Sequence, residues 1–106
     1  GSRGLGDVYK RQALACKKES GEERIGFIGT TEMIYGAQHI SELIPVELVT
    51  AAAFEEDGIR ERLLEMKEKG VRAVIGGVTA TIIARKLGFS AVRISSGREA
   101  VYQALV

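Results

Sequence analysis

The chain alternates between short apolar runs and longer stretches with helically spaced apolar side chains, and this alternation limits its fold more than any other feature. The apolar runs are too short for helices and rich in strand formers, and they predict four strands: Arg24 to Gly29, Val46 to Ala51, Val71 to Ile75 and Ala91 to Ser95. The stretches after them predict four helices: Thr31 to the residue before Pro45, Glu55 to Lys69, Thr79 to Leu87 and Arg98 to Leu105.

The order of these elements predicts the fold class. Strands that are apolar throughout and separated by helices form parallel sheets covered on both faces, because parallel neighbours require crossover connections. We therefore predict an α/β fold, a three-layer α/β/α sandwich with a four-stranded parallel sheet. The expected strand order is 2-1-3-4, the winding of a flavodoxin-like or chelatase-like half, with a switch point between strands one and three.

The charge of the chain is unevenly distributed. Of the 106 residues, 15 are Lys or Arg and 14 are Asp or Glu; residues 1–12 hold three of the basic residues and one acidic residue. Residues 13–106 are left with 12 basic and 13 acidic side chains and a net charge of −1. The domain lacks the basic surface that binds phosphate backbones, so we expect no direct nucleic-acid contact.

The first twelve residues and the single cysteine bear on where the protein is located. Residues 1–12 show no periodicity and no apolar signal core, so we interpret them as a tag or cloning leader and expect one domain over residues 13–106. Cys16 has no second cysteine to pair with, so the chain forms no internal disulfide, and we expect the protein to be located in the reducing cytoplasm. No apolar run approaches the roughly 20 residues that cross a bilayer, so we expect no membrane contact.

Candidate ligand-binding residues lie in three loops that follow predicted strands. In parallel α/β sheets, ligands bind at the carboxyl ends of the strands, where loops lead into helix amino termini and free N–H groups favour an anion. Arg98 adds a forked cation suited to carboxylates. Ser, Thr and Gly at such positions also serve helix capping and tight turns, and this purely structural interpretation stays open. The candidate residues are Thr30, Thr31, Gly76, Gly77, Thr79, Ser95, Ser96 and Arg98.

Other chemistry finds little support in the sequence. The dinucleotide fingerprint and the P-loop motif are both missing, so we expect no cofactor. His39 lies within a predicted helix without other metal ligands at suitable spacing, and Cys16 has no nearby base. The acidic cluster Glu55 to Asp57 begins a helix and does not end a strand, so we interpret it as a charged first turn. No nucleophile, base and orienting group come together, and we expect neither an enzyme nor a metal site.

Six segments in series carry a resemblance to a known family. The most specific are the block from Lys69-Gly70 through the third strand to Gly76-Gly77 and the helix start Ser96-Gly97-Arg98-Glu99. The segments are Gln12 to Ala15 with Lys17-Lys18, Ile25 to Gly29, Leu64 to Val71, Val74 to Gly77, Ala84 to Phe89 and Ile94 to Leu105. Together they resemble the second lobe of the amino-terminal receptor domain of the propionate catabolism regulator (PrpR) family, found in sigma-54-dependent transcription activators.

The resemblance implies a sensor that is part of a larger regulator. Members of that family carry two such lobes, each with a 2-1-3-4 sheet, and a small organic acid effector, 2-methylcitrate in the named case, acts through the cleft between them. An AAA+ ATPase and a helix-turn-helix follow. The cleft edge of this lobe would consist of the eight candidate residues already reached from the sheet-edge argument.

Three hypotheses follow from the sequence. The first is a sensing lobe of a transcription regulator that binds a small organic carboxylate and signals by lobe closure. The second is a structural or self-association module without a ligand, in which an exposed face leads to a homodimer. The third is a lobe of a solute-binding protein. The open reading frame distinguishes the first from the third, since an ATPase after Val106 supports a regulator and a lipobox before the lobe supports a transporter component.

Overall fold

The computed structural model describes residues 3–94, and these form one four-stranded parallel sheet with helices on both faces. The strand order is β2-β1-β3-β4, which confirms the predicted fold class and winding. The elements are α1 (Arg3–Ser20), β1 (Arg24–Gly29), α2 (Thr31–Ser41), β2 (Glu47–Ala52), α3 (Glu56–Glu68), β3 (Ala73–Gly76), α4 (Val78–Lys86) and β4 (Ser90–Arg93). Within residues 3–94, no helix has both the length and the apolar character needed to span a membrane.

The predicted boundaries agree with these elements to within one or two residues in most places. The larger difference is at α2, which ends at Ser41 well before Pro45, and β3 begins at Ala73 instead of Val71. Val71 is not in the strand because its N–H donates to the Met66 carbonyl and so closes the end of α3. The predicted helix from Arg98 to Leu105 lies outside the described residues.

The two faces of the sheet bury alternate residues of the central strands. Ile25 and Phe27 of β1 pack in the core beneath α1 and α2, whereas Ile28 packs in the core beneath α3 and α4. All four residues of β3 are buried, as expected for a strand covered on both sides. Ile59, Leu63 and Met66 are the buried residues of α3, and their spacing puts them on one face of the helix.

Residues 3–12, which the sequence analysis set aside, are part of the fold. They form the first half of α1, and Tyr9 is only 5% exposed. Its ring meets that of Phe27 edge to face, with 5.3 Å between centroids. A Cβ on Gly36 would lie 2.7 Å from the Tyr9 ring, so the Tyr9 side chain packs where α2 has a glycine. The helix α1 therefore begins before residue 13, and Tyr9 contributes to the core through contacts with residues distant in sequence.

Two glycines end helices in the left-handed conformation. Gly70 has φ +85° and follows α3, and Gly88 has φ +94° and follows α4. In both cases the next residue donates its N–H back into the last turn, from Val71 to Met66 and from Phe89 to Ala84.

Replacement of two glycines by alanine will have opposite effects on stability. Gly88→Ala will lower the free energy of unfolding by about 1 kcal/mol, because a side chain at positive φ is strained. Gly58→Ala will raise it by about 0.5–1 kcal/mol, because Gly58 lies in the first turns of α3 and a Cβ there meets only the Cβ of Ala53, at 3.9 Å. Urea unfolding of both variants measures the difference, and equal effects would contradict the assigned backbone geometry.

Removal of the Tyr9 side chain will test whether α1 belongs to the folded unit. Tyr9→Ala will lower the free energy of unfolding by about 2–4 kcal/mol, since it empties a buried aromatic site. Leu14→Ala on the same helix is the control and will cost less than about 1 kcal/mol, because Leu14 is 38% exposed. Chemical denaturation of the two variants gives the values, and equal small losses would mean that α1 does not pack as described.

Candidate functional site

The carboxyl ends of the strands lie together at one edge of the sheet. β1 and β3 are neighbours, so Gly29 and Gly76 end adjacent strands. Beyond the strand ends, the N–H of Ala53 donates to the Gly29 carbonyl (3.1 Å) and the N–H of Ile94 to the Gly76 carbonyl (2.8 Å). The chain therefore leaves β2 and β4 at this same edge, which we call the carboxyl edge.

Two of the three predicted loops are neighbours at the carboxyl edge. The first contains Thr30 and Thr31 between β1 and α2, and the second contains Gly76, Gly77 and Thr79 between β3 and α4. The third predicted group, Ser95, Ser96 and Arg98, lies outside the described residues. Ile94, the last described residue, is buried beside the end of β3.

The loop after β1 already uses one of its hydroxyl groups. Thr30 is the N-cap of α2, and its Oγ1 accepts a hydrogen bond from the N–H of Met33 at 3.2 Å. This is the capping role that the sequence analysis kept open for such residues. Thr31 and Thr79 are exposed, so their side chains face solvent at this edge.

The amino terminus of α4 differs from this arrangement. Its N-cap is Gly77, which has no side chain to accept from the first-turn amides, and no acidic residue lies in the first turn. The first amides of a helix have no partner within the helix, and the helix dipole makes that end positive. Thr81 does not change this, because its hydroxyl lies 3.0 Å from the Gly77 carbonyl and 2.9 Å from that of Val78 and so bonds to acceptors.

Acidic residues neutralise the other helix ends at this edge. Glu32 lies in the first turn of α2, and Glu56 and Asp57 lie in the first turn of α3. Both α3 residues also pair with Arg60, at 3.6 Å and 3.8 Å. Of the three helices that begin at the carboxyl edge within the described residues, α4 thus offers an anion the most favourable amino terminus.

Gly76 holds this amino terminus close to the strand ends. A Cβ at Gly76 would lie 2.8 Å from the Cβ of Ala80 and 3.3 Å from the carbonyl oxygen of Ile28. Only glycine allows α4 to approach β1 and β3 this closely. The first turn of α4 and the end of β1 therefore form one continuous surface.

The residues that the sequence analysis rejected lie away from this surface. His39 is exposed in the last turn of α2. Cys16 is 1% exposed inside the core, and burial raises the pKa of its thiol above the ordinary value of 9.0. Among residues 3–94, no group of three or more His, Cys, Asp and Glu residues is arranged to hold a metal ion.

Concave surfaces occur at places that the sequence analysis did not predict. A groove of about 450 Å³ lies at the opposite edge of the sheet, between the carboxyl ends of α3 and α4, and includes Lys67, Arg72 and Phe89. A second, of about 280 Å³, lies at the carboxyl edge beside β2 and includes Phe54, Glu55 and Arg62. Surface concavity depends on how loops from separate elements meet, so no local pattern indicated either groove.

Comparison with known proteins agrees with this architecture. A family model described as propionate catabolism activator (PrpR_N) matches residues 7–106. The crystal structure of an NtrC family transcriptional regulator from Clostridium acetobutylicum is similar in fold, with a TM-score of 0.74 and 22% sequence identity over 92% of this chain. The chain spans about half of that structure's length, 51%. No curated protein sequence matches the chain.

Burial of Cys16 predicts a loss of stability at alkaline pH. Well below pH 9 the thiol is protonated in both states, so its effect on the free energy of unfolding is constant. Above that pH the unfolded chain releases the proton while the folded chain retains it, so stability will fall by up to about 1.4 kcal/mol per pH unit from this group. Urea unfolding between pH 8 and pH 10 will show a steeper fall for the unmodified protein than for Cys16→Ala, and identical slopes would contradict the buried thiol.

Proposed function

This chain belongs to the PrpR_N family of propionate catabolism activators, and on that premise we propose that it is a ligand-sensing lobe of a sigma-54-dependent transcription regulator. It binds a small organic carboxylate at the carboxyl edge and transmits the binding event to an output domain. Membership of the family supports the assignment to transcription regulation. The proposal gives the chain no catalytic role and places it in the cytoplasm, where such regulators meet their DNA.

The observation that carries the proposal is the amino terminus of α4. Gly77 leaves the first-turn amides without a capping side chain, and the adjacent first turn has no acidic residue. A carboxylate placed there accepts hydrogen bonds from backbone N–H groups and benefits from the helix dipole. The same position in α2 is already occupied by the Thr30 hydroxyl.

The residues around α4 define the rest of the proposed site. Thr31 and Thr79 supply exposed hydroxyl groups at the carboxyl edge, and Thr30, Gly76 and Gly77 supply backbone groups. Ser95, Ser96 and Arg98 belong to the proposal on sequence grounds alone. An effector with several carboxylates and a hydroxyl, such as a 2-methylcitrate-like acid, suits a surface of amides and hydroxyls.

We propose that the ligand signals by closing this lobe on a second one. A ligand shifts a conformational equilibrium only through contacts that differ between the two states. The carboxyl edge is open to solvent at Thr31, Val78 and Thr79, so a facing lobe would complete the contacts around a bound acid. The rigid junction that Gly76 allows between β3 and α4 would pass the movement of the α4 terminus to the sheet.

A solute-binding protein and a self-association module remain the other two hypotheses. Family membership favours the regulator over the solute-binding protein. Self-association is compatible with ligand sensing and is favoured by exposed apolar side chains beside β2.

An NMR titration will test the proposed site. Addition of citrate or 2-methylcitrate to the isotopically labelled protein, at constant ionic strength, will shift the amide resonances of Val78, Thr79 and Ala80 in a saturable way. Gly77→Asp will weaken this binding by at least about tenfold, because its carboxylate occupies the same amides. The same substitution will raise the free energy of unfolding by about 0.5–1 kcal/mol, as an acidic N-cap should.

Gly77→Ala is the matched control. The backbone at Gly77 has φ −75°, and no atom lies within 4 Å of an added Cβ, so alanine fits without strain and leaves the amides open. Its Kd will stay within about threefold of that of the unmodified protein. Resonance shifts confined to other parts of the sheet, or equal binding by Gly77→Asp, would contradict the proposed site.

A further inference from the structure

β2 forms one border of the sheet, and within residues 3–94 no strand pairs with its outer side. It is six residues long and pairs with β1 in a continuous register. Beyond Glu47 at its first position it contains no charged residue and no proline. Charges, prolines and bulges are the usual devices that keep an edge strand from pairing with another chain, and β2 itself carries none of them after Glu47.

Two hydrogen bonds show which backbone groups of β2 face outward. The N–H of Glu47 donates to the Glu23 carbonyl at 2.8 Å, and the N–H of Ala53 donates to the Gly29 carbonyl. In a parallel strand the direction of the backbone groups alternates from residue to residue. The odd-numbered residues therefore bond to β1, and the N–H and C=O groups of Leu48, Thr50 and Ala52 point away from the sheet.

The most exposed large apolar side chains of the described residues surround this edge. Phe54 follows β2 and is 68% exposed, and Leu43 precedes it and is 65% exposed. Tyr35, also 68% exposed, lies on α2 one turn from Gln38, whose amide nitrogen reaches the Thr50 hydroxyl at 3.5 Å. The other exposed large apolar residues are at most 49% exposed.

We propose that β2 pairs antiparallel with β2 of a second copy of this chain, which joins the two sheets into one of eight strands. A twofold axis passes beside Thr50, so that Thr50 exchanges both backbone hydrogen bonds with its counterpart. Leu48 of each copy exchanges bonds with Ala52 of the other. This register uses all the outward groups of β2 and places a threonine pair at its centre.

The surroundings of β2 are complementary to themselves under this symmetry. Antiparallel pairing brings the start of one β2 beside the end of the other, so Phe54 of each copy meets the segment from Leu43 to Val46 of its neighbour. Along α3, the residues beside β2 alternate in charge: Glu61, Arg62, Glu65 and Lys69. Arg62 pairs with Glu61 and Glu65 within one molecule. Reversing the series against itself places Glu61 opposite Lys69 and Glu65 opposite Arg62, so opposite charges face each other across the twofold axis. These two features favour a second copy over an unrelated strand.

The size of the interface predicts a weak dimer. A strand of six residues is about 20 Å long, and the molecule measures 25 Å along its shortest axis. A contact about 20 Å long and at most 25 Å deep covers about 500 Å². This is smaller than the roughly 800 Å² per partner of a standard stable interface. A Kd on the order of 10–100 µM is expected, so the dimer will form at high concentration or where a longer chain raises the local concentration.

Sedimentation velocity from about 5 µM to about 500 µM, which brackets the expected Kd, will test the interface. The unmodified protein will pass from monomer to dimer over this range. Thr50→Lys and Thr50→Glu will each raise the dimer Kd at least tenfold, because each places like charges opposite one another at the axis. An equimolar mixture of the two variants will form a heterodimer, and Thr50→Val will dimerise like the unmodified protein.

Two further measurements test whether β2 and Phe54 form the interface. Phe54→Ser will weaken the dimer, whereas Ile82→Ser, which removes an exposed apolar side chain of α4, will not. Hydrogen exchange of the unmodified protein will show the amides of Leu48, Thr50 and Ala52 protected at high concentration only, whether or not the charged variants fold. A strict monomer at about 500 µM, or a dimer insensitive to changes at Thr50 and Phe54, would overturn the proposal.

Discussion

The burial of β1 and β3 on both faces is the constraint on which the rest of this structure depends. Ile25 and Phe27 face one helical layer while Ile28 faces the other, so neither layer is dispensable. The described βα units supply α3 and α4 on one face but only α2 on the other. α1 completes that layer, and its residues Tyr9, Ala13 and Cys16 join the same core as α2. A helix that precedes the first strand is therefore as necessary to the sheet as the crossover helices are.

Close packing at the strand ends links this core to the proposed sensing function. Gly76 allows Ala80 and the Ile28 carbonyl to approach to distances that no side chain would permit. As a result, the amino terminus of α4 packs directly against the ends of the central strands β1 and β3. Its uncapped amides lie beside the buried core, so an anion bound there as we propose would meet backbone whose position the core packing fixes.

The carboxyl edge and the outer edge of β2 are separate surfaces that meet only near Phe54. A dimer formed through β2 would extend the sheet sideways and leave the α4 terminus open. Ligand sensing and self-association are thus geometrically compatible. In a transcription regulator, such an arrangement would bring two sensing sites into one assembly without either blocking the other.

The sequence by itself determined the strands and most helix boundaries, since these follow from spacings within single elements. It also determined the sheet order, because alternating strands and helices require crossover connections that favour one winding. Ile59, Leu63 and Met66 mark the buried face of α3, and Gly70 and Gly88 mark helix ends, because helix geometry alone assigns those roles. It also indicated that the loops at Thr30 and Gly77 share one edge, because parallel strands end on the same side. Tertiary structure decided what lies across space from each residue. Tyr9 is buried because it packs against Phe27 and because Gly36 leaves space for its ring. The groove beside Phe54 exists because β2 and α3 meet there. Neither contact can be predicted from the spacing of residues along the sequence, because each joins residues of separate elements.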